Sequence, residues 1–278
     1  MYRLQSVSEG IRESASPALV EAFGFVTELG GVAFLVVVLS VLYWVDERET
    51  TGTVIGYALV AFAVTLTLKA AFGLPRPPAS VRAIAVDPGS YGFPSGHAVG
   101  ASVVYGGLVL ARDRLGDLRV TVPAVVLVAL VGLSRVVIGV HYLGDVLVGH
   151  AVGLAVLAGL WWGVGHRADW ACLVAAGVAA VGVGLTGAGT ESLLALGASL
   201  GGAVAFRAVE TAGLSAPARG EALALVAIGL PVAGGLYWLA STTGIGPVAV
   251  VGNAALVATI VALPATLQGR VTASLSTG

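Results

Sequence analysis

The chain has 278 residues, 57% of them hydrophobic and only 10% charged, with a formal net charge of -1 and a mean hydropathy of +0.97. A soluble globule of this size must coat itself with polar groups and carries about 25% charged residues, so an ordinary cytosolic enzyme and a disordered chain are both excluded. The near-zero charge leaves no electrostatic footprint for nucleic acid, and the single cysteine, Cys172, excludes an internal disulfide framework and a cysteine-based zinc site. What remains is an all-α integral membrane protein, a polytopic bundle of transmembrane helices.

Residues 1–16 carry Arg3, Glu9, Arg12 and Glu13 without an apolar run, which does not match a cleavable secretory signal. Leu4, Val7 and Ile11 fall at helical spacing and predict a short amphipathic helix on the membrane surface, a frayed terminus being the plain alternative. A spanning helix needs about 20 apolar residues, because lipid pairs no backbone polar group. Nine stretches are candidates: 18–45, 53–72, 95–111, 120–135, 142–164, 171–185, 191–206, 221–240 and 247–267. The first serves as its own uncleaved insertion signal. Abundant Gly and Ala suit close helix–helix approach in lipid.

If nine helices alternate, the N-terminus, the 73–94 loop and the 135–141 turn share one side. With Lys69, Arg76 and Arg135 set aside, that side holds Arg3, Arg12 and Arg82. The other holds Arg48, Arg112, Arg114, Arg119, Arg167, Arg207, Arg219 and Arg270. The arginine-rich side is expected to be cytoplasmic, which turns the first side outward.

Three polar clusters fall on that outward side. Charge at membrane depth is costly unless paired or wetted, so it reads first as functional. Lys69, the only lysine in the chain, Arg76 and Arg135 would bring three positive charges to one spot, suited to a dense anion such as phosphate. A lysine snorkelling to the interface is the plain alternative for Lys69. Pro94-Ser95-Gly96-His97 reads as a helix start, with Ser95 as N-cap, Gly96 allowing close backbone approach and free N–H groups able to bind an anion. Capping explains Ser95 and Gly96 and leaves His97 over. His141 and Asp145, four apart, would share a helical face. A carboxylate there accepts Nδ1–H and frees Nε2 as nucleophile or base. A buried His–Asp pair that merely joins helices is the alternative.

Together, Lys69-x6-Arg76-Pro77, Pro94-Ser95-Gly96-His97 and Ser134-Arg135-x5-His141-x3-Asp145 resemble the three-part signature of the type 2 phosphatidic acid phosphatase family, which also includes vanadium haloperoxidases. The match covers eleven fixed positions between residues 69 and 145. The resemblance implies a phosphatase core over residues 1–165, followed by additional transmembrane helices over 166–278. It implies that His141 attacks phosphorus to form a phosphohistidine, that Asp145 orients His141, and that His97 protonates the leaving alkoxide and then activates water. Lys69, Arg76, Ser95, Gly96 and Arg135 would bind the phosphoryl oxygens. Ser134 matches the motif, with a structural role left open. No metal or other cofactor is implied. The expected activity is hydrolysis of a lipid phosphate or polyprenyl diphosphate, with membrane lipids and the lipid substrate as partners and no nucleic acid. Phosphotransfer through the same intermediate and non-catalytic binding of lipid phosphate are the alternatives. Haloperoxidase activity fits less well, because those relatives are largely soluble.

Only two expected spans precede Lys69, where many relatives have three. The tail beyond residue 165 carries its charges at helix ends and offers no catalytic constellation; packing, homo-oligomerisation and lipid access stay open for it. His150 reads as a packed or hydrogen-bonded histidine rather than a proton relay, and His166 as a solvated loop residue. Asn253 reads as interhelical glue. The 73–94 loop, stiffened by Pro75, Pro77, Pro78, Pro88 and Pro94, reads either as a cover over the pocket or as a connector.

Overall fold

The computed structural model describes residues 3–87, 89–210, 218–242 and 246–276, without the side chains of 241 and 268–276. Pro88 and the side chain of Arg270, both invoked above, lie outside the described residues. Among the described residues eleven α-helices follow one another: α1 Gln5–Ser14, α2 Pro17–Glu28, α3 Val32–Val45, α4 Arg48–Phe72, α5 Gly96–Ala111, α6 Leu118–Val137, α7 Leu143–Gly163, α8 Ala168–Thr186, α9 Thr190–Glu210, α10 Arg219–Thr242 and α11 Gly246–Ser276. A 3-10 turn, Ala79–Val81, interrupts the loop between α4 and α5.

Among the described residues seven helices, α4 and α6 to α11, are long and apolar enough to cross a membrane alone. The 16-residue α5 is apolar but shorter, and α2 with α3 forms a pair bent by 47°. The nine expected spans are therefore all present as helices, but the first is broken. Gly30 is what the break requires: a Cβ there would sit 2.3 Å from Val131 Cγ1 and 3.3 Å from His97 Cδ2. The bend lets α2 lean on α6 while α3 follows α4 and α10.

The amphipathic N-terminal helix forms, but it is built into the bundle against α6 and α7. The first amides of a helix lack intrahelical acceptors. Here Leu143 N–H donates to Ser8 Oγ at 2.8 Å, and Gly144 N–H donates to the Arg3 carbonyl at 3.1 Å. The N-terminal segment thus caps α7, and Gly144 lacks the Cβ that would collide with Arg3.

α4 is the central post, packed against α5, α8 and α9. Helices of the second half share a hydrophobic core with α3 and α4, in which Leu39, Trp44 and Val54 meet Phe206, Leu225 and Val261. Gly197 and Gly201, a small-xxx-small pair, bring α9 onto α11, where a Cβ on either would lie 2.2 Å from the carbonyl oxygen of Val250 or Ala254. Trp44 fastens both late helices: its Nε1–H donates to the Ile260 carbonyl at 2.8 Å, and its ring lies on Gly229. Outward, Phe25, Leu118, Trp162, Val204 and Leu223 are largely exposed. So apolar an exterior is stable in lipid and not in water. The chain is an integral membrane protein.

Candidate active site

The three polar clusters converge. Lys69 on α4, Arg76 in the following loop, Gly96 and His97 at the head of α5, Arg135 near the end of α6 and His141 before α7 line one cavity of about 380 Å³. Their positions follow from local structure. Gly73, with φ of 59°, ends α4 one turn past Lys69 and turns the chain toward Arg76. Ser95 is the N-cap of α5, so the N–H groups of its first turn open into the site. Gly139, at φ of 75°, reverses the chain after Arg135 so that the His141 N–H donates to the Arg135 carbonyl at 3.1 Å.

His141 is 1% exposed, and its Nδ1 lies 2.6 Å from the Gly92 carbonyl oxygen. A carbonyl only accepts, so Nδ1 carries the proton and Nε2 keeps its lone pair. That lone pair faces Arg76 Nη1 at 2.9 Å. Burial, reinforced by the charges of Arg135, Arg76 and Lys69 against the opposing pull of Asp145, pushes the imidazole pKa down to about 3. His141 is therefore neutral at physiological pH.

Asp145 does not receive the Nδ1–H as its spacing suggested. His141 precedes α7, whose N-cap is Tyr142, and its Nδ1 is 3.6 Å from Asp145 Oδ2. The carboxylate is instead occupied by Arg3, with Nε on Oδ1 at 2.7 Å and Nη2 on Oδ2 at 2.8 Å, and by the Tyr142 N–H at 2.9 Å. Arg3 also donates from Nη1 to the Pro75 carbonyl at 2.7 Å and lies over the Tyr142 ring. Nothing in the spacing of the motifs pointed to Arg3, which counted only toward side-to-side charge. The one local signal was an arginine just before an amphipathic helix.

The 73–94 loop is part of the site rather than a connector. It supplies the Gly92 carbonyl to His141, and Ser90, whose Oγ accepts from Arg76 Nε at 2.8 Å. Arg76 Nη1 also donates to the Val140 carbonyl at 3.2 Å. Arg135 donates from Nη1 to Thr27 Oγ1 on α2, while its Nε has no partner among the described residues. Lys69 and His97 make no side-chain hydrogen bond among the described residues, and both face the cavity. Ser95 is fully buried behind Gly96, its Oγ without a partner among the described residues. Thr27, Ser90 and Glu191, which also lines the cavity, were not foreseen.

Ser134 donates to the Val131 carbonyl of its own helix at 2.6 Å, a structural use. His150 pairs through Nδ1 with Ser102 Oγ at 2.9 Å, joining α7 to α5 away from the cavity. Asn253 Nδ2 donates to the Leu194 carbonyl at 3.1 Å, tying α11 to α9. His166 is an exposed loop residue, as expected, and its ring also packs edge-on against Trp161, with centroids 5.0 Å apart.

The PAP2 superfamily profile matches residues 50–169, which contain every motif position. Phosphatidylglycerophosphatase B of Bacillus subtilis is 31% identical over 170 residues, spanning 54% of this chain and 80% of that protein. Decaprenylphosphoryl-5-phosphoribose phosphatase of Mycobacterium tuberculosis is 37% identical over 100 residues, 36% of this chain and 52% of its own length. The crystal structure of a transmembrane PAP2-type phosphatidylglycerolphosphate phosphatase from Bacillus subtilis is 26% identical, covers 55% of this chain and 80% of its own, and superposes with a TM-score of 0.48. With the signature residues gathered in one cavity and a relative of this identity matched over most of its length, the chain belongs to the PAP2 superfamily.

Proposed function

We propose that the protein is a membrane phosphatase that hydrolyses a lipid phosphate through a phosphohistidine at His141, with no metal ion. The observation that carries this reading is the meeting of a buried neutral imidazole, a second histidine and three cationic side chains in one cavity. Its relatives' names point to phosphorylated lipids as the substrate class.

In the reaction, Nε2 of His141 attacks phosphorus in line, so that an N–P bond forms as the bond to the lipid oxygen breaks. His97 gives its proton to the departing alkoxide. His97 then takes a proton from water, whose oxygen attacks the same phosphorus and expels Nε2, leaving orthophosphate and the starting enzyme. The Arg76 Nη1 that faces Nε2 turns its N–H to a phosphoryl oxygen, a stronger, charged acceptor, and uncovers the nucleophile. Lys69, Arg135 and the Gly96 N–H complete the grip on charge that spreads over the equatorial oxygens. The donor set supports metal independence: the two imidazoles have roles as nucleophile and acid, and the one motif carboxylate is bound by Arg3. The arginine distribution favours the extracytoplasmic side for the site.

A phosphate-release assay over a panel of lipid phosphates, run with wild type and His141→Ala, tests the reading. Release by wild type and none by the variant is expected, together with inhibition by vanadate. Full release by His141→Ala overturns the role of His141.

A further inference from the structure

The cavity does not end at the charged cluster. From Lys69 and His97 it continues between α3, α4 and α5 on one side and α9 and α11 on the other, with Leu39, Ile55, Leu59, Ala198, Leu256 and Ile260 along its walls. Along α4 its lining runs from Lys69 to Ile55, fourteen residues, which at 1.5 Å rise each is about 21 Å. That exceeds half of the roughly 30 Å hydrocarbon core. Three of its polar side chains bond within the wall: Ser40 Oγ donates to the Val36 carbonyl at 2.7 Å, Thr65 Oγ1 to the Ala61 carbonyl at 2.7 Å, and Asn253 to Leu194. One turn beyond Ser40, where the lining stops, Tyr43 and Trp44 are each at most 2% exposed, and Tyr43 lines instead a separate polar cavity with Arg48, His166 and Asp169. The cavity is therefore a slot with a cationic mouth and an apolar body.

We infer that this slot is the binding site for one hydrocarbon chain of the substrate, and that α9 and α11 of the C-terminal half are there to wall it. The inference rests on the phosphatase reading for the phosphate end. The occupant follows from continuity: an anion held by Lys69, Arg76 and Arg135 has an apolar channel directly behind it, and a phosphate joined to a long chain matches both ends. Lipid around the protein is as apolar as the slot, so burial there adds little raw affinity. What the slot supplies is placement, fixing the depth of the phosphorus relative to His141 Nε2. The late helices thereby act as determinants of chain selectivity.

The test compares hexadecyl phosphate with phenyl phosphate, which carries no chain, in wild type, Leu256→Trp and Ala198→Phe. Each substitution fills the slot without touching the charged mouth. The ratio of kcat/KM for hexadecyl over phenyl phosphate should fall at least about tenfold in both variants, with phenyl phosphate turnover reporting that the protein has folded. An unchanged ratio in both overturns the slot. A second arm needs no turnover: hexadecyl phosphate bearing a photoreactive diazirine at its terminal carbon is crosslinked to wild type. Labelling of Leu39, Ile55, Leu256 or Ile260, suppressed by excess unlabelled hexadecyl phosphate, is expected. Labelling confined to the outward-facing Val204 and Val251 overturns the inference whether or not phosphate is released. Absent phosphate release together with slot labelling would sink the phosphatase reading alone.

Discussion

Arg3 grips Asp145 with two hydrogen bonds, at 2.7 and 2.8 Å, although 142 positions separate them, and so fixes the carboxylate that lies 3.6 Å from His141 Nδ1. Asp145 is fully buried and Arg3 nearly so, and removing one partner of such a pair leaves an uncompensated charge. Arg3→Ala should cost about 3–5 kcal/mol, read as a lower unfolding temperature in detergent. Because Arg3 does not line the cavity, kcat should fall much more than KM rises. Arg3→Lys should recover little, since an ammonium cannot make the paired contact.

The acid role of His97 is separable from the nucleophile. His97→Gln should slow hydrolysis of an alkyl phosphate by about 10²–10⁴-fold, while 4-nitrophenyl phosphate, whose leaving group needs no proton, should lose far less. Equal losses on both substrates would contradict the assignment.

The depressed pKa of His141 has a stability consequence with a definite sign. The unfolded imidazole titrates near 6.5 and the folded one near 3, so on acidification the unfolded chain takes up its proton first. Stability from this group is complete above pH 6.5 and is lost by about 1 kcal/mol per pH unit between 6.5 and 3. Thermal unfolding of His141→Gln across that window should show a flatter pH dependence than wild type by about that amount.

Gly92 is confined on three sides. A Cβ there would lie 2.9 Å from Arg3 Nη2, 3.0 Å from the Pro75 carbonyl and 3.1 Å from Arg76 Cα, and its own carbonyl holds His141. Gly92→Ala should therefore displace the acceptor that sets the His141 tautomer and lower kcat by about a hundredfold, measured by phosphate release.

The helices were legible because lipid imposes one requirement, a long apolar run, and all nine runs appear as helices. The break at Gly30 was not, since a glycine pair in an apolar stretch looks the same whether the helix continues or bends; only Val131 and His97 packed on Gly30 decide it. The positions lining the cavity mouth were legible because fixed spacings carry them. Arg3, Thr27, Ser90 and Gly92 were hidden because each acts through tertiary contacts, two of them through groups with no local pattern: a backbone carbonyl and a salt bridge to the far side of the motif region. The tail was opaque for a related reason. Gly197 and Gly201 announce close packing, but not that the space left between helices continues the charged mouth.

Trp44 is hydrogen-bonded to Ile260 and seated on Gly229, and with Tyr43 it makes a bulkhead rather than a gate. The slot and the polar cavity at the other end share no lining residue, so the pair stands between two separate spaces. A lipid that enters at the charged mouth meets that barrier, and turnover there would alter the headgroup without carrying the molecule across the bilayer.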